Sequence, residues 1–329
     1  MRKVQWGVLS TARIGMEKVI PAMQRSGLCQ VGAIASRSLE SARKAARALG
    51  IPRAYGSYEE LLADPGVEAV YNPLPNHLHV PYTLKAAEAG KHVLCEKPMA
   101  LDLADLARLE AVSPDVLVME AFMVRFHPQW LKARAWIQEG RLGELRAVQA
   151  FFSYRGLEPG DIRNRPDWGG GALYDIGCYA VVAGRFFLGS DPVRAIALVD
   201  RDPAFGVDRT TSGLVDFGAG RHLDFTVSTH CVPYQRVQIC GTLGRLELLI
   251  PFNAPARRRT RILFDDGSGI RTETLPACDQ YTLQGEAFSR AVLGEIALPY
   301  GIDDARMNVR VLEALFRSEK SQAWEAIRA

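Results

Sequence analysis

Five short stretches carry residue types that can do chemistry together. In Glu96-Lys97-Pro98 a lysine follows the apolar run His92-Val93-Leu94, and the proline behind it restricts the lysine's own backbone. A lysine that needed only water would not need that restraint. An ammonium held at a strand end is suited to stabilise negative charge on a reacting oxygen. Asp175 and Tyr179, in "GGGALYDIGCYAV", stand four apart and share one face of a helix, with Gly177 between them allowing close backbone approach. A carboxylate and a phenol so placed can bind a hydroxyl group and exchange its proton. A free phenol titrates at about 10, so it needs a cation beside it to act as a base near neutrality. Lys97 can be that cation, with Asp175 binding a substrate hydroxyl or orienting Lys97.

Further stretches read as a nucleotide grip. Ser10-Thr11-Ala12-Arg13-Ile14-Gly15 keeps the spacing of the dinucleotide fingerprint, with Ser and Ala where its first two glycines stand. Small side chains there still let backbone N–H groups approach a pyrophosphate at a helix N-terminus, and Gly15 lets helix and strand pack closely. About twenty residues on, where an acid would select the free ribose of NAD, the chain has Ser36-Arg37. Ser36 can donate to a 2′-phosphate and Arg37 can bind it and lie over the adenine. NADP(H) is therefore the expected coenzyme, with NAD(H) second. In "YNPLPNHLH", Asn72, Pro73, Leu74 and Asn76 stand at the end of a further strand, where they can hold a ribose or the nicotinamide edge. His79, Glu96 and Lys97 complete the expected coenzyme contacts. No metal-ligand spacing is present, and no metal is expected.

The elements that must position these residues follow two grammars. Over residues 1–121 strand-like runs alternate with helical ones: "KVQWGVLS", a helix over 13–26, "QVGAIAS", a helix over 38–49, "RAYGS", then "SYEELLAD" with Ser57 and Glu60 as a capping box. "VEAVYNPLP", a helix over 77–89, "HVLCEKP", a helix over 102–112 and "DVLVMEA" complete the series. Alternation of this kind means a doubly wound parallel sheet, an α/β domain. From residue 122 to 329 the pattern changes. Helices over 128–139 and from Gly169-Gly170-Gly171 to 188 flank "ELRAVQAFFSYRG". Seven strand-like runs then follow one another from 193 to 275, and helices over 280–293 and 303–318 close the chain. This predicts an α+β domain with a large, mostly antiparallel sheet and helices on one face.

The 329 residues, 48% apolar and 23% charged with a net charge of +3, suit two soluble globular domains. Acids and bases are interspersed, so a nucleic-acid partner is not expected; the short cluster Arg257-Arg258-Arg259 with Arg261 reads as a solvated loop. No window approaches eighteen consecutive apolar residues, and the opening lacks a signal peptide's apolar block, so no membrane partner and a cytoplasmic location are expected. The six cysteines show no CxxC spacing and read as free, buried thiols.

Taken together, the Glu96-Lys97-Pro98 turn, the fingerprint-like opening and Asp175–Tyr179 after three glycines resemble the Gfo/Idh/MocA oxidoreductases over nearly the whole chain. Tyrosine at 179, with "WGVLSTARIG", "EAFMVRFHPQ" and "DIRNRP", is similar to the branch of glucose–fructose oxidoreductase, NADP-dependent D-xylose dehydrogenase, dimeric dihydrodiol dehydrogenase and sugar 3-ketoreductases. The resemblance implies an N-terminal Rossmann domain, and a C-terminal domain that binds substrate and forms a homodimer or homotetramer through its open sheet. It implies hydride transfer at a carbon of a carbohydrate, with Arg125, Phe126 and Arg163 joining Asp175 and Tyr179 around the substrate. Two alternatives stay open. One is redox-assisted glycoside cleavage, which recycles its NAD+ and shows no net coenzyme turnover. The other is a non-catalytic NADP(H)-binding redox sensor, which has no need of Lys97, Asp175 and Tyr179 together.

Overall fold

A computed structural model describes residues 2–328, and the chain divides into two compact units. The first comprises residues 1–123 with 281–306, the second 124–280 with 307–329.

The first unit is built on six parallel strands: β1 (Val4–Leu9), β2 (Cys29–Ala35), β3 (Arg53–Tyr55), β4 (Ala69–Asn72), β5 (His92–Cys95) and β6 (Val118–Glu120). Their order is β3-β2-β1-β4-β5-β6, which reverses direction of growth between β1 and β4. Val4, Trp6, Val8, Ala69, Val70 and Val93 are wholly buried, as central strands covered on both faces require. Serines cap two of the connecting helices: Ser38 Oγ accepts from Ser41 N and, at the expected cap, Ser57 Oγ accepts from Glu60 N. The Glu60 carboxylate returns to Gly56 N at 3.0 Å, one residue earlier than in the expected capping box.

Residues 281–306, including all of the helix Gln280–Val292 after its first residue, belong to this first unit, so the second unit is not the unbroken segment 122–329 expected from the sequence. The physical reason is visible at Trp6. Its ring lies 5.4 Å from that of Phe288, and its Nε1 donates to Ser289 Oγ in a fully buried contact. Thr282 Oγ1 and Ser26 Oγ add hydrogen bonds between the same helix and the layer beneath β1 and β2.

The second unit carries nine strands: β7 (Leu145–Arg155), β8 (Arg194–Arg201), β9 (Asp208–Asp216), β10 (His222–Ser228), β11 (His230–Gly241), β12 (Arg245–Leu248), β13 (Thr260–Asp265), β14 (Ile270–Leu275) and β15 (Glu325–Ala326). Their order is β14-β13-β12-β11-β7-β10-β9-β8-β15, antiparallel throughout except for β7 beside β10. β15 has no counterpart in the sequence reading; its two residues carry too little pattern to announce a strand. Burial alternates with period two. Val148, Ala150 and Phe152 of β7, with Leu223, Phe225 and Val227 of β10, face the helical layer. That layer contains Cys178–Leu188 and Ile302–Ser321, joined by Arg185 Nη1 donating to Asn308 Oδ1. The opposite face of the sheet is open. One helical stretch, Pro166–Leu188, is long and apolar enough to meet the length and composition of a membrane span. It is mostly buried inside the unit, as a core helix is. Cys29, Cys95 and Cys178 are buried free thiols, whereas Cys231 is exposed.

Candidate functional site

In the first unit the residues of interest lie at the carboxyl ends of neighbouring strands, on either side of the β1–β4 reversal. Just past β1, Ser10 has φ of 97°, in the region that favours glycine. The first-glycine position of the fingerprint thus keeps a glycine's backbone while carrying serine. Ser10 N donates to Ala35 O at 2.9 Å, and Ser10 Oγ accepts from Ala12 N at 3.2 Å. Helical structure starts at residue 13 and passes through a π-helical segment, Gly15–Val19, before becoming α-helical at Ile20–Gln24. π-Helical turns are rare and gather at functional sites. Close packing does not demand Gly15 as expected, since a methyl there would meet Tyr71 Cε1 at 3.6 Å, an ordinary contact. Past β2, Ser36 is half-buried and Arg37 exposed. The Arg37 guanidinium makes no ion pair or hydrogen bond among the described residues.

The turn after β5 is pinned by carboxylates. Glu96 Oε1 accepts from Tyr71 Oη at 2.6 Å and Glu96 Oε2 from Lys97 N at 3.3 Å, while Met99 N donates to the buried Glu120 Oε1 at 2.8 Å. The Lys97–Pro98 peptide is cis, and the Lys97 side chain is half-buried.

Two expected coenzyme contacts take a different role. Asn72 is wholly buried. Its Nδ2 donates to His79 O and Thr83 Oγ1 and contacts Cys95 Sγ, while its Oδ1 accepts from Leu74 N at 3.4 Å. With both ends of the amide committed, it staples β4 to the following helix and cannot hold a ribose by its side chain. His79 is also wholly buried, with Nδ1 2.7 Å from Pro98 O and Nε2 2.7 Å from Leu74 O. Its ring therefore acts on the loops around it, with no edge left for a nucleotide. Pro73 and Leu74 are buried and Asn76 half-buried in the loop between them.

In the second unit Asp175 lies in a π-helical segment, Leu173–Gly177, that runs into the α-helix Cys178–Leu188. Its Oδ2 accepts from Tyr154 Oη at 2.6 Å and from Arg163 Nε at 3.0 Å. Tyr179 is 6% exposed, its ring 5.9 Å from Phe152 and 5.7 Å from Phe252. Phe152 and Tyr154 are two apart on β7 and so lie on one face. Asp175 and Tyr179 thus do share a helical face, set against that face of β7. Burial, and next the charge of Asp175, push the Tyr154 pKa up, so its phenol remains a neutral donor. The Asp175 charge raises the Arg163 pKa further, keeping a cation against the carboxylate. Arg163 also reaches Asp161 Oδ1 at 3.3 Å. Arg125 is buried and Phe126 half-buried on the short turn Met123–Phe126.

The sequence reading missed Tyr154, Glu120 and Asp208. Asp208, 1% exposed, accepts from Leu173 N at 2.7 Å and from Thr211 Oγ1 at 2.9 Å, so it holds the start of the Asp175 helix. Burial pushes its pKa up to about 6. Nothing in "FGVDRTTSG" marks that aspartate, because its partner lies 35 residues away.

Comparison with known proteins gives two family matches. The oxidoreductase family with an NAD-binding Rossmann fold matches residues 4–116, and the GFO/IDH/MocA C-terminal domain matches residues 130–247. The chain is 44% identical over 334 residues to an uncharacterized oxidoreductase of Rhizobium meliloti, covering 99% of this chain and 100% of the relative. It is 40% identical to D-xylose 1-dehydrogenase (NADP(+)) 2 of Haloferax volcanii, covering 97% and 98%. Among solved structures it is similar to KijD10, a 3-ketoreductase from Actinomadura kijaniata in complex with NADP and TDP-benzene. The TM-score is 0.90 at 31% identity, covering 96% of this chain and 98% of that one.

Proposed function

The chain belongs to the GFO/IDH/MocA oxidoreductase family, and on that premise we propose that it catalyses NADP(H)-dependent hydride transfer at a carbon of a sugar or related keto-sugar. The observation that carries the reading is that Ser10–Gly15, Ser36–Arg37 and Glu96–Lys97 follow the carboxyl ends of β1, β2 and β5 in one parallel sheet. The residues present fit the coenzyme. Ser10 has a glycine's backbone, small side chains line the turn, no acid stands at 36 or 37, and Arg37 is an exposed cation without an ionic partner among the described residues. The turn 10–15 would hold the pyrophosphate, and Ser36 and Arg37 the 2′-phosphate. Both the relative from Haloferax and the complex from Actinomadura carry NADP in their descriptions, which supports the same choice here.

When bound, the nicotinamide supplies or accepts the hydride. This chain's residues orient the substrate and move the proton. Tyr179 Oη gives a proton to the substrate oxygen in reduction and takes it back in oxidation. Lys97 Nζ favours the phenolate form of Tyr179 by its charge. Asp175, held by Arg163 and Tyr154, accepts a hydrogen bond from a neighbouring substrate hydroxyl. Arg125, Phe126 and Arg163 form the rest of the substrate wall.

The test is a panel of aldoses, keto-sugars and diols, assayed with both coenzymes through the absorbance of reduced nicotinamide. Net turnover of NADP(H) with a free sugar supports the reading; coenzyme binding without turnover across the panel overturns it. In the same assay Arg37→Ala is expected to abolish most of the preference for NADP(H). Equal affinity of the unaltered protein for the two coenzymes would remove the basis of that assignment.

A further inference from the structure

His79 stands between two carbonyls that belong to two different loops. Leu74 O, 2.7 Å from Nε2, lies in the loop that follows β4; Pro98 O, 2.7 Å from Nδ1, lies in the turn that carries Lys97. Both distances lie within hydrogen-bond range. The ring is wholly buried, so water cannot substitute at either side. Its own backbone carbonyl accepts from Asn72 Nδ2, which fixes the helix start that carries it.

A carbonyl can only accept, so each contact calls for an N–H on the ring. A neutral imidazole has one N–H and one bare nitrogen. Burial pushes the His79 pKa down to about 4, which leaves a single proton for two carbonyls near neutral pH. We propose that His79 is a positioning residue whose buried ring bridges Leu74 O and Pro98 O, donating to one or the other according to its tautomer, and so holds the loop after β4 and the Lys97 turn in a fixed relation. Both parts rest on the functional reading above, which assigns the loop after β4 to the coenzyme and Lys97 to the reaction.

The two ties can be separated by substitution. An asparagine amide places its N–H2 near the Nδ1 position and a glutamine amide near Nε2. His79→Asn therefore keeps the tie to Pro98 and loses that to Leu74; His79→Gln does the reverse. Losing one buried hydrogen bond changes an equilibrium by roughly tenfold. The expected result for His79→Asn is an NADPH Kd roughly tenfold weaker, with kcat little changed. For His79→Gln it is a kcat roughly tenfold lower, with Kd little changed. Nitrogen NMR of the unaltered protein at neutral pH should show one protonated and one bare ring nitrogen for His79.

Three results would overturn the proposal. One is two variants that melt at lower temperature but keep Kd and kcat in the folded protein. Another is loss of both parameters to the same degree in each variant. The third, which needs no variant to fold, is a ring protonated at both nitrogens near neutral pH. If Lys97→Met itself turns over normally, the catalytic reading fails, and the Kd change in His79→Asn still decides the coenzyme-loop tie.

Discussion

Lys97 and Tyr179 are proposed to act on one proton, so their losses should not add. Lys97→Met and Tyr179→Phe are each expected to lower kcat by roughly two to four decades, the usual reach of positioned proton transfer. The double variant should be little worse than the poorer single. NADPH affinity should survive in both, because the phosphate contacts are assigned to residues 10–15 and 36–37. Removing the Lys97 charge removes what favoured phenolate, so the basic limb of the oxidation pH profile should move upward. Steady-state kinetics across pH read all of this, and normal turnover by Lys97→Met would end the catalytic assignment. At this scale the placement of the residues was legible beforehand: Ser10, Arg37 and Lys97 lie past the ends of β1, β2 and β5, and Asp175 and Tyr179 share a helical face, while their roles are proposed. Asn72 and His79 were misread as nucleotide contacts because a polar residue at a strand end looks the same whether it faces a ligand or is buried against backbone carbonyls.

The helix that carries Asp175 and Tyr179 is fixed at its start by Asp208 and by the glycines before it. Gly171 has φ of 112°, and a methyl there would lie 1.9 Å from Asp208 Oδ1. Gly171→Ala should therefore cost about 3 kcal/mol or more of stability, from backbone strain and the forced loss of that contact; urea unfolding measures it. Asp208 itself predicts a pH effect. Burial raises its folded pKa to about 6, above the ordinary aspartate value of 3.8. The folded state then binds more protons than the unfolded state between these values, so stability falls as pH rises from about 4 to about 6 and levels off above. The size is on the order of 2–3 kcal/mol at most. Asp208→Asn should flatten that interval in melting temperature against pH. An unchanged slope would show that Asp208 is not the group titrating. Spacing alone predicted the shared face of Asp175 and Tyr179. The π-helical segment, and the aspartate that holds it, depend on a strand 35 residues further on and had no local signal.

For the molecule as a whole, the open face of the nine-stranded sheet is the feature that calls for a partner. Phe151, Ile196, Leu198, Leu214 and Tyr234 lie across it, with Leu198 74% exposed and Tyr234 49% exposed. Hydroxyl pairs Ser212–Thr226 and Thr210–Ser228, and Gln149 donating to Asp224, satisfy polar groups within the same sheet. An apolar face of this kind is commonly closed by a second copy of the chain. Light scattering at micromolar concentration should give two or four times the 36.3 kDa chain mass, and Leu198→Glu should shift the population toward single chains. A single-chain mass for the unaltered protein would exclude this assembly.

The sequence by itself determined the parallel first sheet, the mostly antiparallel second one, and the tight turn that follows β1. Each follows from short-range rules: alternation of strand and helix, period-two burial, small residues at a tight turn. Only the tertiary structure decided that residues 281–306 belong to the first unit, because the reason is Trp6 and Ser289, nearly the whole chain apart. It likewise decided that Asn72 and His79 hold loops while Tyr154 and Arg163 hold Asp175. Local pattern records which face of an element is apolar. The partner of a buried polar group is chosen by what the fold brings beside it, and that choice leaves no mark in the neighbouring residues.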